Sequence, residues 1–171
     1  MTIEIREATA DEHDEAGRVT ADAYREFARG DEWKDYLVRI ADVAERATRT
    51  TILVAVEDGR ILGSLTLELH GRVRDPDDDH PPLGPDEAHV RMLGVVPAAR
   101  RRGVARLLMQ ASEGRARAAG KTLLTLHTTT RMDAAQRLYG SLGFRRDVDR
   151  VFPDGFVLLS YSKDLTEPEP T

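Results

Sequence analysis

The residues best suited to chemistry fall in one stretch, 91–110, which reads RMLGVVPAARRRGVARLLMQ. An apolar run stops at Pro97, a short turn carries Gly103, and a helical apolar spacing begins at once. The first turn of any helix has backbone N–H groups without an intrahelical acceptor, and it carries the positive end of the dipole. Anions collect there. Gly103 lets a ligand approach the backbone closely, and Ala105 keeps the next position small. Arg100, Arg101 and Arg102 add positive charge beside the turn. A diphosphate suits such a junction, although an ordinary helix start with a solvated basic face uses the same residues.

Fewer residues elsewhere invite a chemical reading. Glu87 and His89 are two apart in a strand-like run, so they share a face. His89, with an ordinary pKa of ~6.5, is suited to moving protons near neutrality. A hydrogen-bonded strand histidine accounts for it equally well. His127 lies on the next strand. Asp75-x-Asp77-x-Asp79 resembles the start of a calcium loop, but His80 stands where glycine is required and Asp86 where glutamate closes such a loop. It reads as a solvated loop. The histidines show no metal-ligand spacing, and with no cysteine there is no thiol nucleophile, disulfide or thiolate metal site. No metal is expected.

These residues need elements to hold them. Residues 3–7 read as a first strand. A helix opens at Asp11 with Ala16, Val19, Ala23 and Phe27 inward, and a second spans 32–46 with Tyr36, Leu37, Ile40 and Val43 inward. Residues 51–56 and 60–69 form a hairpin about Asp58-Gly59. A loop with four prolines covers 71–86. A strand over 88–96 precedes the basic turn. The helix after it presents Val104, Leu107, Leu108 and Ala111 to the core and is capped at Gly120. A strand over 123–127 follows, then a helix aligning Ala135, Leu138, Tyr139 and Leu142 and ending at Gly143. Two strands, 144–150 and 156–162, finish the domain. The order is β-α-α-β-β-β-α-β-α-β-β, with one strand-helix-strand crossover in an otherwise antiparallel sheet.

The chain has 171 residues, 40% apolar and 32% charged, enough for one domain over residues 1–165, with 166–171 as a disordered tail. A net charge of -5 argues against nucleic acid as the main partner and accords weakly with a cationic one. No apolar stretch is long enough to span a bilayer, and the first residues lack the pattern of a secretory signal. Together these point to the cytoplasm and to no membrane partner.

Arg100-x-x-Gly103-x-Ala105, preceded by MLGVVP, resembles the acetyl-CoA signature of the GNAT-type N-acetyltransferase superfamily, Q/R-x-x-G-x-G/A. Ala135-Gln136-Arg137-Leu138-Tyr139-Gly140-Ser141-Leu142-Gly143-Phe144 is similar to that family's A-x-x-L-Y-x-x-L-G-F block. The two blocks stand in the family's order with a strand between them, and the element order agrees over residues 3–163.

The resemblance implies an α/β (α+β) fold. Its sheet is mixed and mostly antiparallel, with six to seven strands and about four helices on both faces. Its fourth and fifth strands, 88–96 and 123–127, form a central parallel pair that splays apart. It implies acetyl-CoA as co-substrate, with pantetheine in the opening beside the backbone of Leu93, Gly94 and Val95. The diphosphate would lie on the turn from Arg100 through Arg101, Arg102, Gly103, Val104 and Ala105 to Arg106. It implies an acetyl group passed to a primary amine by direct attack on the thioester, with the carbonyl polarised by a backbone amide near Val95.

Tyr139 falls at the family's general acid, although its apolar stripe also suits plain core. His89 stands where many members carry a glutamate base, and Glu87 shares its face. At Met132 the sequence departs from an asparagine that commonly bonds the cofactor, and Thr128, Thr129 and Thr130 are the nearby hydroxyls. The acceptor is a small-molecule or peptide amine of unspecified identity, and a homodimer is compatible. The alternative is a non-catalytic acyl-CoA-binding or regulatory module with the same fold.

Overall fold

Alternation along the strands gives the central sheet two different faces. The computed structural model describes residues 2–28, 30–74 and 82–167. Strands β1 (Glu4–Glu7), β2 (Thr51–Glu57), β3 (Arg60–Glu68) and β4 (Glu87–Val95) run antiparallel in that order. Strand β5 (Leu123–Thr129) lies parallel to β4. The long strand β8 (Val157–Asp164) returns antiparallel to β5 and carries the two-residue strands β6 (Arg145–Arg146) and β7 (Arg150–Val151). In β2, Leu53 and Ala55 enter one core cluster, whereas Ile52, Val54 and Val56 enter another.

Helices cover both faces. Helix α4 (Val104–Ala118) and α5 (Asp133–Ser141) pack over Leu53, Leu65, Val90, Leu124 and Leu126. On the other face lie α1 (His13–Arg25), α2 (Glu32–Ala41) and α3 (Val43–Ala47), with Ala16, Val19 and Val43 against β2. The sheet is therefore mixed and mostly antiparallel with a central parallel pair, as the sequence implies. It has eight strands and five α-helices among the described residues.

Local chemistry explains the departures. Residues Ala10–Glu12 form a tight 3-10 turn in which the Thr9 amide donates to Glu12 Oε2 at 2.9 Å, so α1 starts at His13 rather than Asp11. Phe27 lies beyond its end. The single helix expected over 32–46 is broken at Asp42, whose carboxylate accepts the Glu45 amide at 3.2 Å and starts α3 as an N-cap. In α4 the buried stripe is Val104, Leu108, Met109, Ser112, Glu113 and Ala116, spaced mainly by four. Leu107, expected inward, is 37% exposed. The expected strand over 144–150 is two short pieces, because 145–146 and 150–151 pair with β8 in register while Asp147 meets it through one backbone bond to Ser160. The Asp75-x-Asp77-x-Asp79 segment and residues 168–171 lie outside the described residues.

Candidate active site

Strand β4 leaves its partner halfway. Its parallel register with β5 runs from Glu87↔Leu123 to Val90↔Leu126. Beyond that point β5 stays with β8 through Thr129↔Leu158, while β4 continues against β3 alone. The divergence coincides with a β-bulge. Two steps on β3, from Thr66 to Ser64, match three on β4, from Arg91 to Gly94. Met92 takes φ 54°, and neither Met92 nor Leu93 has a partner in the β3 register. The β5-facing backbone edge of residues 91–95 is therefore outside the ladder, and an unladdered edge is a template for an extended ligand.

Gly94 fixes what lies behind this edge. A Cβ there would sit 2.9 Å from Ala23 Cβ and 3.3 Å from Thr20 Cα. Only glycine lets α1 approach β4 so closely. The Gly94 α-carbon thus faces α1, leaving its backbone groups for the opening.

The turn that follows is shaped for an anion. After Pro97–Ala99, Arg101 adopts φ 65° and Gly103 φ 81°, both left-handed, and α4 begins at Val104. Leu107 N–H reaches Gly103 O at 3.0 Å, so the amides of Val104, Ala105 and Arg106 precede the first intrahelical bond. Successive amides around a left-handed residue form a concave nest. A Cβ at Gly103 would meet nothing within 4 Å, so the space beside it is open.

The arginine side chains divide their roles. Arg102 makes a two-pronged pair with Glu57, at 3.1 and 2.6 Å. Its hydrogen bonds hold the Glu57 carboxyl below the usual carboxylate range. Arg100 pairs with Glu26, and Arg106 Nη2 donates to Ser141 Oγ at 2.7 Å. The Arg101 side chain has no partner among the described residues. Most of the basic turn therefore anchors α4 to β2, α1 and α5, and its backbone amides are the more available donors.

On the α1 side of the sheet, the structure joins two residues that the sequence leaves as alternatives. His89, 4% exposed, places Nδ1 2.6 Å from Thr125 Oγ1, its direct register partner on β5. The Thr125 hydroxyl donates to Glu87 Oε2 at 2.5 Å, and Glu87 Oε1 accepts the Gly84 amide at 3.2 Å. Glu87, Thr125 and His89 thus form one chain. The His127 ring lies 5.1 Å from the His89 ring. Thr125 went unnoticed in the sequence because its contact depends on cross-strand register, which spacing along the chain does not give.

Tyr139 sits on the opposite side of the opening. It is 5% exposed, with Phe144 at 6.0 Å and Tyr161 at 5.7 Å between ring centroids. Burial, and then Tyr161, push its phenol well above the usual value, so it is neutral and a donor at any physiological pH. Met132 precedes α5 without a side-chain cap and accepts a 3.4 Å contact from Thr128 Oγ1. A cleft of about 460 Å³ lies nearby, lined by Phe27 and Trp33, by Thr129 to Arg131, and by Asp154 to Val157. No group of three or more histidine, cysteine or acidic side chains converges as a metal requires among the described residues, and no helix there is long and apolar enough to cross a membrane.

Comparison with known proteins gives this geometry a context. The acetyltransferase (GNAT) family profile matches residues 10–144. No curated protein matches in sequence. Among solved structures, yncA of Salmonella typhimurium, determined with its cofactor acetyl-CoA, is 20% identical with a TM-score of 0.70, covering 100% of this chain and 98% of that one. The paia N-acetyltransferase of Thermoplasma acidophilum, in complex with coenzyme A, is 13% identical with a TM-score of 0.71, covering 94% and 98%. The ribosomal-protein-S18-alanine N-acetyltransferase of Escherichia coli is 18% identical with a TM-score of 0.68, covering 96% and 94%. At these identities the likeness is one of fold.

Proposed function

The chain belongs to the acetyltransferase (GNAT) family, and on that premise we propose that it is an acetyl-CoA-dependent N-acetyltransferase acting on a primary amine by direct attack. The observation that carries this reading is the parting of β4 from β5 after Val90 and Leu126, with the left-handed Gly103 turn beyond it. A cleft with an unladdered strand edge and an anion nest fits a ligand with an amide-bearing arm and a diphosphate. Solved structures of the same fold carry acetyl-CoA or CoA.

Acetyl-CoA supplies an acetyl group activated as a thioester. Around it, the amides from Arg101 to Arg106 hold the diphosphate, and the backbone of Leu93, Gly94 and Val95 pairs with the arm. A backbone amide near Val95 polarises the carbonyl. A lysine-like ammonium has a pKa of ~10.4, so freeing its lone pair at pH 7 costs roughly 4–5 kcal/mol.

His89 accepts that proton, directly or through water, and Thr125 with Glu87 behind it fixes the ring. Glu87, already bonded to Thr125 and Gly84, supports the base. Tyr139 serves the leaving sulfur. An ordinary phenol would protonate a thiolate uphill by about 2 kcal/mol, and burial raises Tyr139 further, so its main contribution is a hydrogen bond from its neutral O–H.

CoA release during incubation with a panel of amines tests the proposal. Turnover is expected, with Tyr139→Phe lowering kcat by about 100-fold or more. Full rate in that variant removes the phenol from the mechanism. Tight CoA binding without turnover on any amine identifies a non-catalytic acyl-CoA-binding module instead.

A further inference from the structure

The cleft of about 460 Å³ takes its walls from both halves of the divided sheet. Phe27, just past α1, and Trp33, at the start of α2, form one wall. They belong to the β4 half, because α1 packs on β4 where Gly94 meets Thr20 and Ala23. Phe156 and Val157 form the other wall, where β8 begins beside the end of β5. Both walls are held locally. Trp33 lies edge to face on Tyr36, with centroids 5.5 Å apart. Opposite, the Phe152 carbonyl accepts the Gly155 amide at 2.9 Å, and the Phe156 carbonyl accepts the Phe152 amide at 2.8 Å. Asp154 Oδ1 accepts the Phe156 amide at 3.0 Å. This Pro-Asp-Gly turn sets the Phe156 ring 5.8 Å from that of Phe152. Phe156 is still 40% exposed, so its ring has area to lose to a ligand.

The floor joins the cleft to the reacting groups. Thr129 is two residues beyond His127 on the same face of β5, about 7 Å along the strand. The His127 ring is 5.1 Å from that of His89. The Thr129 carbonyl also accepts Gln136 Nε2 at 3.2 Å, and Gln136 stands one helical turn before Tyr139. A ligand group in the cleft is therefore a few bonds from an amine placed between His89 and Tyr139.

The lining decides the nature of that group. Among the described lining residues Arg131 and Asp154 carry the charges, one of each sign. A second cation or an anion on the acceptor thus gains no net attraction. Three aromatic rings and Val157 favour a neutral apolar group, and the volume lies in the range of small-molecule sites. We propose that this cleft holds the uncharged aromatic or branched apolar group of the acceptor, and that the substrate class is small primary amines bearing one such group. This rests on the acetyl-transfer reading.

Trp33 is the chain's single tryptophan, so its emission reports occupancy of the cleft without turnover. In CoA-loaded protein, phenethylamine should shift that emission to the blue, saturating at concentrations roughly 10- to 100-fold below those for ethylamine. The ratio of kcat/KM for the two amines, from CoA release, should show the same preference, mainly through KM. Phe156→Ala, at a partly exposed position, should bring both ratios close to one. An undiminished preference in that variant overturns the proposal. So does weaker CoA binding by calorimetry, which would assign the cleft to the cofactor. An equal Trp33 response to the two amines, or faster turnover of spermidine or of free amino acids, overturns it and leaves acetyl transfer standing. A selective Trp33 response with no turnover on any amine supports the ligand class while removing the enzymatic reading.

Discussion

A threonine between two ionisable groups decides how both can behave. In the Glu87–Thr125–His89 chain the carboxylate accepts and the hydroxyl relays, so the imidazole ring is oriented by a residue that carries no charge. Thr125→Val is expected to lower kcat about 10-fold and to distort the rising limb of the kcat–pH profile, which reports a base that must be neutral. Thr125→Ser should restore both. A variant with a reduced rate but an unaltered profile would show that Thr125 only supports the strand. Glu87, His89 and Tyr139 are visible as candidates in the sequence, through residue type and motif. Thr125 is not, because it matters through a partner 36 residues away. Such pairings exist only once the strands have found their register.

At the level of elements, the left-handed backbone at Gly103 is the feature most easily tested. A side chain there meets no neighbour, so replacement costs only the conformational penalty, about 1 kcal/mol. Gly103→Ala should therefore lower Tm by roughly 2–4 °C and raise the KM for acetyl-CoA. An unchanged KM would detach the turn from ligand binding. The strand-turn-helix unit was legible because a proline, a glycine and an apolar stripe mark its boundaries. The break between α2 and α3 was not, since the apolar spacing carries straight across Asp42. Only the capping bond from the Glu45 amide identifies that aspartate as a new start. The exposure of Leu107 has a similar origin, because periodicity gives the width of a stripe better than its centre.

For the molecule as a whole, acid stability depends on how the first strand is tied to the turn after it. Glu12 accepts bonds from Arg6 at 2.8 and 2.7 Å and from the Thr9 amide at 2.9 Å. The Arg6 bonds, with Thr9 behind them, lower its pKa from 4.5 to about 2. A carboxyl depressed on folding stabilises the protein above its unfolded pKa, and that contribution disappears as pH falls through the folded value. The loss should lie between about pH 4.5 and pH 2. Glu12→Gln should be less stable at pH 7 by about 1 kcal/mol, since the pair is only partly shielded. It should match the parent near pH 2. Parallel acid titrations of Tm would show a constant offset instead if the bonds contribute nothing. The two-faced sheet and its order of elements were legible from alternation and from the two motif blocks. Which strand edges remain unpaired was not.

The midline of the sheet has a consequence for cooperativity. Among the described residues, four register pairs between β4 and β5, with the Thr122 and Leu123 amides on the Asp86 carbonyl just before them, join β1–β4 to β5–β8 along the backbone. The rest of the connection is through side chains, those packed from α4 and α5 and the Glu87–Thr125–His89 chain among them. Without ligand, backbone protection should therefore fall off from Arg91 to Val95 while both flanking half-sheets stay protected. A ligand that bridges the gap acts as an absent strand, so amides on both sides should gain protection together and the halves should melt as a single unit.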